Sequence, residues 1–506
     1  MKEFDKLPII VGVGQKTWHE PDTSRTPVDA LTEASNRALA DAGQSKLTQV
    51  IDAVAMVRFI ADTDPGMAAL FPRNPGRIVA QRMGISDASF FQGIIGGNTP
   101  QFLVNHFAQK LAQGEHTAVL ISGAELLATT FSALRTGGDI SAWPGEPEAE
   151  PTTIGQERDG LNETEKLYNL YEPINTYPLF ENSLRHHLGV SADEHQNNIA
   201  ELCSAMSDVA ANNPHAWRPE ALTTAQVSTV DEKNRYIGYP YTKAMNPVLA
   251  VDMAASVIMT TVGKARELGI DASQWIYLRA GVDVNDSWYV SERPSLHESP
   301  AIRLAWKTLS QSTGIDVDDV TDFDIYSCFP SAVQIACREI GLTPLDPRGI
   351  TVTGGLPYLG GPGNNYSLHG IAEMVSRLRS RGTGHGLVTA NGLYLTKHSL
   401  GVYSTEPGDA EWQALDGTAL QRKIDEMPTV TLAESPSGPA IVETFTVSFS
   451  RHGPKTGIVV ARNRQGQRIL ALARTDADSL NQLLAEDPIG REGQVIIEDG
   501  VNTFIF

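Results

Sequence analysis

Few side chains in this sequence are suited to covalent chemistry. It has three cysteines, Cys203, Cys328 and Cys337, whose spacing fits neither a zinc site nor a disulfide framework. The most suggestive stretch is GIIGGNTPQF, Gly93–Phe102. Before it, SDASFF (Ser86–Phe91) reads as a strand. After it, FLVNHFAQKLAQG (Phe102–Gly114) has helical apolar spacing. A strand, a tight glycine turn and a helix start bring one side chain and several backbone N–H groups together, and covalent enzymes often place Ser or Cys there. This turn offers Gly96, Gly97, Asn98 and Thr99. It is either a nucleophile cradle without its nucleophile, or an ordinary helix start capped by Asn98 or Thr99.

Other candidates also have two readings each. Cys328 is a proton carrier or a buried structural thiol. His369, at a helix start, is a base or a helix-face histidine. Asn364 and Asn365, after a Gly-Pro-Gly turn, are amide donors or suppliers of turn conformations. Asn391 and Gly392 end a strand, where a backbone donor is plausible. Lys397 and His398 either meet a ligand's anionic groups or lie on the surface. GVGQKTW (Gly12–Trp18) lacks the third glycine of a dinucleotide fingerprint, and there is no P-loop pattern.

These residues need a scaffold. A chain of 506 residues with 41% apolar and 20% charged content is globular and too long for one core. A net charge of −20 disfavours nucleic acid and anionic membrane as partners. No apolar run approaches a spanning helix, and MKEFDKLPIIVGVGQ is too weak for a secretory signal, so a cytoplasmic location is expected.

The first 130 or so residues alternate between strand and helix. Strands are expected at Leu7–Gly14, Ile51–Phe59 and His116–Glu125, with an amphipathic helix over Val28–Gly43. Ser141–Gln156 is acidic and rich in Pro and Gly, so it reads as an exposed excursion. Helical segments follow, among them Ser191–Pro214 with a capping-box start at Ser191 and Glu194. The first pattern then returns: Ser299–Ser327 repeats the helix, glycine, acidic turn and strand of Thr26–Val57. Ser331–Gly341 is another helix and His385–Leu395 a glycine-broken strand like Ala118–Leu127. Two packed α/β halves with a helical insertion are therefore expected. Beyond Thr405, Ala440–Arg451, Thr456–Arg474 and Arg491–Phe506 are β-rich, with NRQG (Asn463–Gly466) as a hairpin turn. A small β-barrel or sandwich is expected there.

Several motifs resemble the thiolase superfamily and fall in its order. LPIIVGVGQ looks like the opening strand and SGAELL (Ser122–Leu127) like the GGAESM segment. KAMNPVLAVDMAAS (Lys243–Ser256) resembles the asparagine-to-DGAA segment leading out of the loop domain. DIYSCF (Asp324–Phe329) is similar to the HDCF block of the sterol-carrier thiolases. GGLPYLGGPGNNYSLHG (Gly354–Gly370) stands for the block that normally carries GHP, and TANGLY (Thr389–Tyr394) for the CxG or HNLG segment. The appended β domain resembles that of thiolase-like protein type 1, with an OB-like barrel. Fifteen acidic against nine basic residues from 405 onward argue against nucleic acid there.

The resemblance implies a duplicated five-layer αβαβα thiolase fold. The expected domains are an N-terminal half (1–133), a helical loop domain (134–245), a C-terminal half (246–404) and an OB-like β domain (405–506). It also implies what is missing. The nucleophilic cysteine aligns with Gly96, the GHP histidine with Gly361 and the CxG cysteine near Ala390. The HDCF histidine and aspartate align with Tyr326 and Ser327, which leaves Cys328 as the surviving second cysteine. Loss of nucleophile and base together removes the covalent mechanism. The expectation is a protein of the acetyl-CoA acetyltransferase family that binds coenzyme A or acyl-CoA without ordinary thiolase turnover, with no other cofactor and no metal. Gly96, Gly97, Asn98, Thr99, Asn246, Tyr326, Ser327, Gly361, Asn364, Asn365, Asn391 and Gly392 would line its cavity, with Cys328 and His369 as the remaining catalytic candidates. The alternatives are an active acyltransferase using Cys328, or a non-catalytic subunit of an acyl-CoA complex with a protein partner on the C-terminal domain. Thiolases pair through the edge strand beside the turn, here SDASFF. The family thus implies a homodimer, unless the C-terminal domain covers that surface and leaves a monomer.

Overall fold

The computed structural model describes residues 3–145, 149–408, 412, 415–434, 436–485 and 487–506. Parts of the expected acidic excursion (146–148) and of the linker into the β domain (409–411, 413, 414) lie outside the described residues.

Local chemistry places the elements. Thr26 accepts from the Asp29 backbone N–H while the Asp29 side chain accepts from Thr26, so a capping box opens the Pro27–Asp41 helix. Gly43, at φ 65°, takes the left-handed conformation that ends it. Ser191 likewise caps the Ala192–Ala211 helix through the Glu194 N–H.

The strands are β1 (Pro8–Thr17), β2 (Ile51–Met56), β3 (Ser89–Gly93), β4 (Ala118–Leu126), β5 (Thr152–Ile154), β6 (Tyr236–Gly238), β7 (Tyr241–Thr242), β8 (Asp252–Thr261), β9 (Ile276–Asn285), β10 (Val320–Asp324), β11 (His385–Gly392), β12 (Lys397–Ser404), β13 (Gly438–Ser450), β14 (Gly453–Asn463), β15 (Arg468–Ala473), β16 (Glu492–Glu498) and β17 (Val501–Ile505). Ten of them form one sheet in the order β10-β11-β12-β9-β1-β8-β4-β2-β3-β5. Its pairing shows the duplication. In the first half β2 runs parallel to β4, and β4 pairs antiparallel with β8 and β8 with β1. In the second, β10 runs parallel to β11, and β11 pairs antiparallel with β12 and β12 with β9. The halves join where β1 meets β9 at Ile9–Tyr277 and Ile10–Ile276.

Side-chain alternation builds the layers. On β1, Ile9 and Val11 join an outer core with the Pro27–Asp41 helix, while Ile10 and Val13 face a central core. On β9, Val282 and Val284 face the other outer core, with the helices Pro300–Thr313 and Pro330–Ile340, and Leu278 faces the centre. The central core holds two helices, Thr99–Gln113 through Leu103, Phe107 and Leu111, and Tyr366–Arg381 through Leu368, Ile371 and Met374. This is the expected five-layer order.

Two expectations need correction. The excursion is not wholly irregular, because β5 lies in it and pairs in parallel with β3, Phe91 to Thr152 and Gly93 to Ile154. Within the insertion, β5 therefore reaches the expected edge strand SDASFF only at its last residue, Phe91, and runs on over Gln92 and Gly93. The insertion is also not purely helical: β6 pairs through Gly238 with Ser448 of β13. It thereby ties itself to the C-terminal domain.

That domain is a closed five-stranded barrel. β13 pairs with β14, β14 with β15, β15 in parallel with β17, β17 with β16, and β16 again with β13. This connectivity is that of an OB-like Greek-key barrel. The NRQG turn forms as expected, with Asn463 Oδ1 accepting from the Gln465 and Gln467 N–H groups. The barrel docks on the insertion. Asn182 Nδ2 donates to the Phe445 carbonyl (2.9 Å), Thr444 Oγ1 to the Leu179 carbonyl (2.7 Å), and Arg185 pairs with Asp487 (2.8 Å).

Candidate functional site

The glycine turn connects β3 to the Thr99–Gln113 helix as the sequence implies. The Thr99 hydroxyl donates to the Ile94 carbonyl at 2.5 Å, so it is committed to closing the turn. Asn98 holds the cap position, but its side chain makes no capping bond. It turns away, and Nδ2 donates to Ser399 Oγ at 3.3 Å. Neither expected side-chain cap of the helix terminus therefore forms.

The second half fills the space in front of the turn. A Cβ on Gly97 would lie 2.1 Å from the Tyr326 hydroxyl and 2.6 Å from the Asn391 carbonyl oxygen. One on Gly96 would lie 2.6 Å from Asn98 Oδ1 and 2.8 Å from Lys397 Nζ. One on Gly392 would lie 2.5 Å from Asn98 Oδ1. Ser367 Oγ donates to the Gly97 carbonyl at 2.9 Å. Gly96, Gly97, Asn98, Tyr326, Asn391 and Gly392 are thus brought together. The glycines are there because neighbouring side chains need the room.

Cys328 sits behind this group. Asn391 Nδ2 approaches its Sγ at 3.7 Å and also donates to the Tyr177 hydroxyl at 2.9 Å. The Tyr177 ring stacks on Phe329 at 4.5 Å. Burial pushes the Cys328 thiol up to about 12, outweighing hydrogen bonds from Tyr177 and Asn391 that pull the other way. At neutral pH it is a thiol, not a thiolate. Iodoacetamide at pH 8 is accordingly expected to leave Cys328 unmodified in the folded protein and to alkylate it after unfolding, as peptide mapping will show.

Other expected residues are bonded elsewhere. Ser327 Oγ accepts from the Leu356 N–H (3.2 Å), and Gly361 N–H donates to the Val248 carbonyl (2.8 Å). Asn364 Nδ2 donates to the Arg58 carbonyl (2.9 Å) and Asn365 Nδ2 to the Gly123 carbonyl (2.8 Å), so both clamp the two halves together. Asn246, half-buried, donates to the Thr242 carbonyl. His369 is fully buried, with Nδ1 facing Gln15 Oε1 at 3.0 Å. Burial drives its imidazole down to about 3, so it is uncharged at physiological pH.

Lys397 and His398 are not on the surface, being 4% and 1% exposed. Both start β12, whose every residue is buried. Lys397 Nζ donates to the Ile95 carbonyl in the turn. His398 Nε2 faces Asp286 Oδ2 at 3.2 Å. Although burial raises it, that carboxyl is held below its usual range, chiefly by His398. The loop before β12 is strained, with Leu393 at φ 57° and Leu395 at φ 51°. Tyr177 restrains it through its hydroxyl, which donates to the Leu393 carbonyl and accepts from the Leu395 N–H.

The sequence reading missed Ser399 and Asp283. They are paired across β12 and β9, on the same face as Lys397. Asp283 Oδ1 accepts from Asn105 at 3.1 Å, and burial lifts its carboxyl to about 7. A cavity of about 670 Å³ opens here, lined by Asn98, Asp283, Asp286, Lys397, His398 and Phe102 among others. The one available signal was a lysine inside the otherwise neutral strand pattern of KHSLGVYS. Among the described residues, no group of three or more His, Cys, Asp or Glu is placed to hold a metal ion, and no helix is long and apolar enough to cross a membrane.

Residues 419–500 match the family model described as the thiolase-like protein type 1 additional C-terminal domain. Over 155 residues the chain is 29% identical to the 3-ketoacyl-CoA thiolase of Erwinia tasmaniensis and 28% identical to that of Cronobacter sakazakii. Each match spans only 35% of the thiolase and 29% of this chain. The dimeric peroxisomal thiolase of Saccharomyces cerevisiae shares the fold, with a TM-score of 0.56 at 15% identity over 79% of this chain and 98% of that one. The monomeric SCP2-thiolase-like protein type 1 of Mycobacterium smegmatis is 34% identical, with a TM-score of 0.84 over 99% of both chains. A likeness that runs through both halves, the insertion and the appended barrel places this chain in the thiolase-like protein type 1 family.

Proposed function

We propose that the protein binds a CoA thioester and forms no acyl-cysteine. One observation carries this reading: the space a side chain at Gly96 would need is taken by Asn98 and Lys397. The buried, protonated Cys328 and the uncharged His369 support it. The test is intact mass after incubation with acetyl-CoA and longer acyl-CoAs, beside thermal melting with CoA. The expected result is an unmodified mass with a raised melting temperature. An acyl adduct that disappears in Cys328→Ala would instead make the protein an acyltransferase.

We also propose that it is a monomer. β5 occupies the Phe91–Gly93 end of the β3 edge that a second subunit would need, and the Mycobacterium smegmatis relative is described as monomeric. Light scattering is expected to give 54.7 kDa. Thr153→Pro, which breaks β5, is expected to expose β3 and shift the protein towards dimers or aggregates. A wild-type dimer would refute this assignment.

A further inference from the structure

We propose that Lys397 is the reactive group of the cavity beside the glycine turn, and that the cavity takes a small aldehyde or ketone which Lys397 captures as an imine. The proposal goes beyond the thioester reading, since it requires no CoA.

The geometry points to a ligand. Lys397 lines the cavity although it is only 4% exposed. Its ammonium lies where a side chain on Gly96 would project, at the N-terminus of the 15-residue Thr99–Gln113 helix. Asn98, also 4% exposed and also lining the cavity, leaves Oδ1 without a hydrogen-bond partner. A buried amide oxygen left bare is destabilising, and a hydroxyl or N–H of a ligand would satisfy it.

The walls select the ligand class. Asp286, Glu157, Glu292 and Asp425 line the cavity together with Asp283, and these carboxyls outnumber the cationic Arg158 and Lys397, which disfavours a phosphate or carboxylate. Ile94, Phe102 and Ile424 supply apolar surface for a short carbon chain. A neutral carbonyl compound with a short chain suits both features, and a cavity of about 670 Å³ is ample for it.

The chemistry is balanced. The neutral Nζ attacks the carbonyl carbon, forming a C–N bond, and the π pair moves to oxygen, which takes up a proton. The nitrogen, now positively charged, gives one of its two protons to that hydroxyl, its lone pair expels the oxygen as water to leave a protonated C=N bond, and the remaining proton on nitrogen returns to the acid that supplied the first. Asp283 is the nearby carboxyl suited to carry that proton. Burial lowers the Lys397 ammonium to about 8, against a weaker opposing pull from Glu157, so neutral amine is present near physiological pH.

The experiment treats the full-length protein with butanal and cyanoborohydride at pH 7.5 and maps modified peptides by mass. Lys397 is expected to be alkylated roughly tenfold faster than exposed lysines such as Lys455, with a rate that rises through a midpoint near 8. Lys397→Arg keeps the cation and its reach to Ile95. It should melt like the wild type and lose only the fast site. Labelling spread over exposed lysines, with Lys397 unmodified in a folded protein, would overturn the proposal. So would fast labelling that persists elsewhere in Lys397→Arg.

Discussion

Gly97→Ala is expected to destabilise the protein by about 3 kcal/mol, at the upper end of what overpacking one methyl group costs. The added Cβ would sit 2.1 Å from the Tyr326 hydroxyl and 2.6 Å from the Asn391 carbonyl. The hydroxyl can be moved, but the carbonyl belongs to β11, which is paired along its length with β12. The double variant Gly97→Ala/Tyr326→Phe is therefore expected to recover part of the loss and not all of it. Chemical denaturation of the two singles and the double measures this. Full recovery would mean that the backbone contact is soft, and no loss in Gly97→Ala would mean that the two halves do not close on the turn. By contrast, Gly361→Ala is expected to be nearly silent, because a Cβ there meets nothing closer than 3.4 Å. A methyl group at position 361 would meet Val248, Leu356 and Pro247 at ordinary contact distance.

Arg468→Ala is expected to cost about 3–5 kcal/mol, the range for removing one partner of a buried ion pair. Arg468 is 1% exposed at the start of β15. Nε donates to Glu443 Oε2 at 2.8 Å, and Nη1 to the carbonyls of Ser291 (3.1 Å) and Arg293 (2.6 Å). Removing it strands two buried carbonyls and leaves Glu443 with Arg462 alone. The effect should reach the site. Arg293 donates in turn to the Tyr394 carbonyl and to Thr396, next to Lys397. Limited proteolysis of Arg468→Ala is expected to open the 391–397 loop as well as the barrel junction. The penalty also has a pH signature. Burial raises the Glu443 carboxyl, but Arg468 and Arg462 together hold it below its usual value. A depressed carboxyl contributes stability above the unfolded pKa, about 4.3, and loses it as pH falls through the folded value. The gap between wild type and Arg468→Ala should therefore narrow below about pH 4. A pH-independent gap would assign the loss to packing alone.

The repeat of helix, acidic turn and strand was legible because layers impose local periodicity. Ile9, Ile10, Val11 and Val13 read as one continuous apolar run since β1 is buried on both faces. The barrel was legible for the same reason, through alternating strands and the Asn463–Gly466 turn. The glycine at position 96 was equally plain, since its identity needs no structure to be read. The site was harder. Asn364, Asn365 and His369 belong to a motif that once implied chemistry, yet their bonds to Arg58, Gly123 and Gln15 are long-range contacts with the other half.

The sequence by itself determined the thiolase-like fold, the appended barrel and the glycine at position 96. These follow from spacing and identity along the chain. Only the tertiary structure decided what stands against that glycine. Lys397 lies some 300 residues from Gly96 and reaches it because β12 pairs with β9 in a register that turns Lys397, Ser399 and Asp283 to one face. Nor does any local pattern show that β5 pairs with the Phe91–Gly93 end of β3, or that β6 is shared with the barrel. Strand partners are chosen by the whole sheet, and a short polar segment becomes an edge strand only where an unpaired edge is waiting for it.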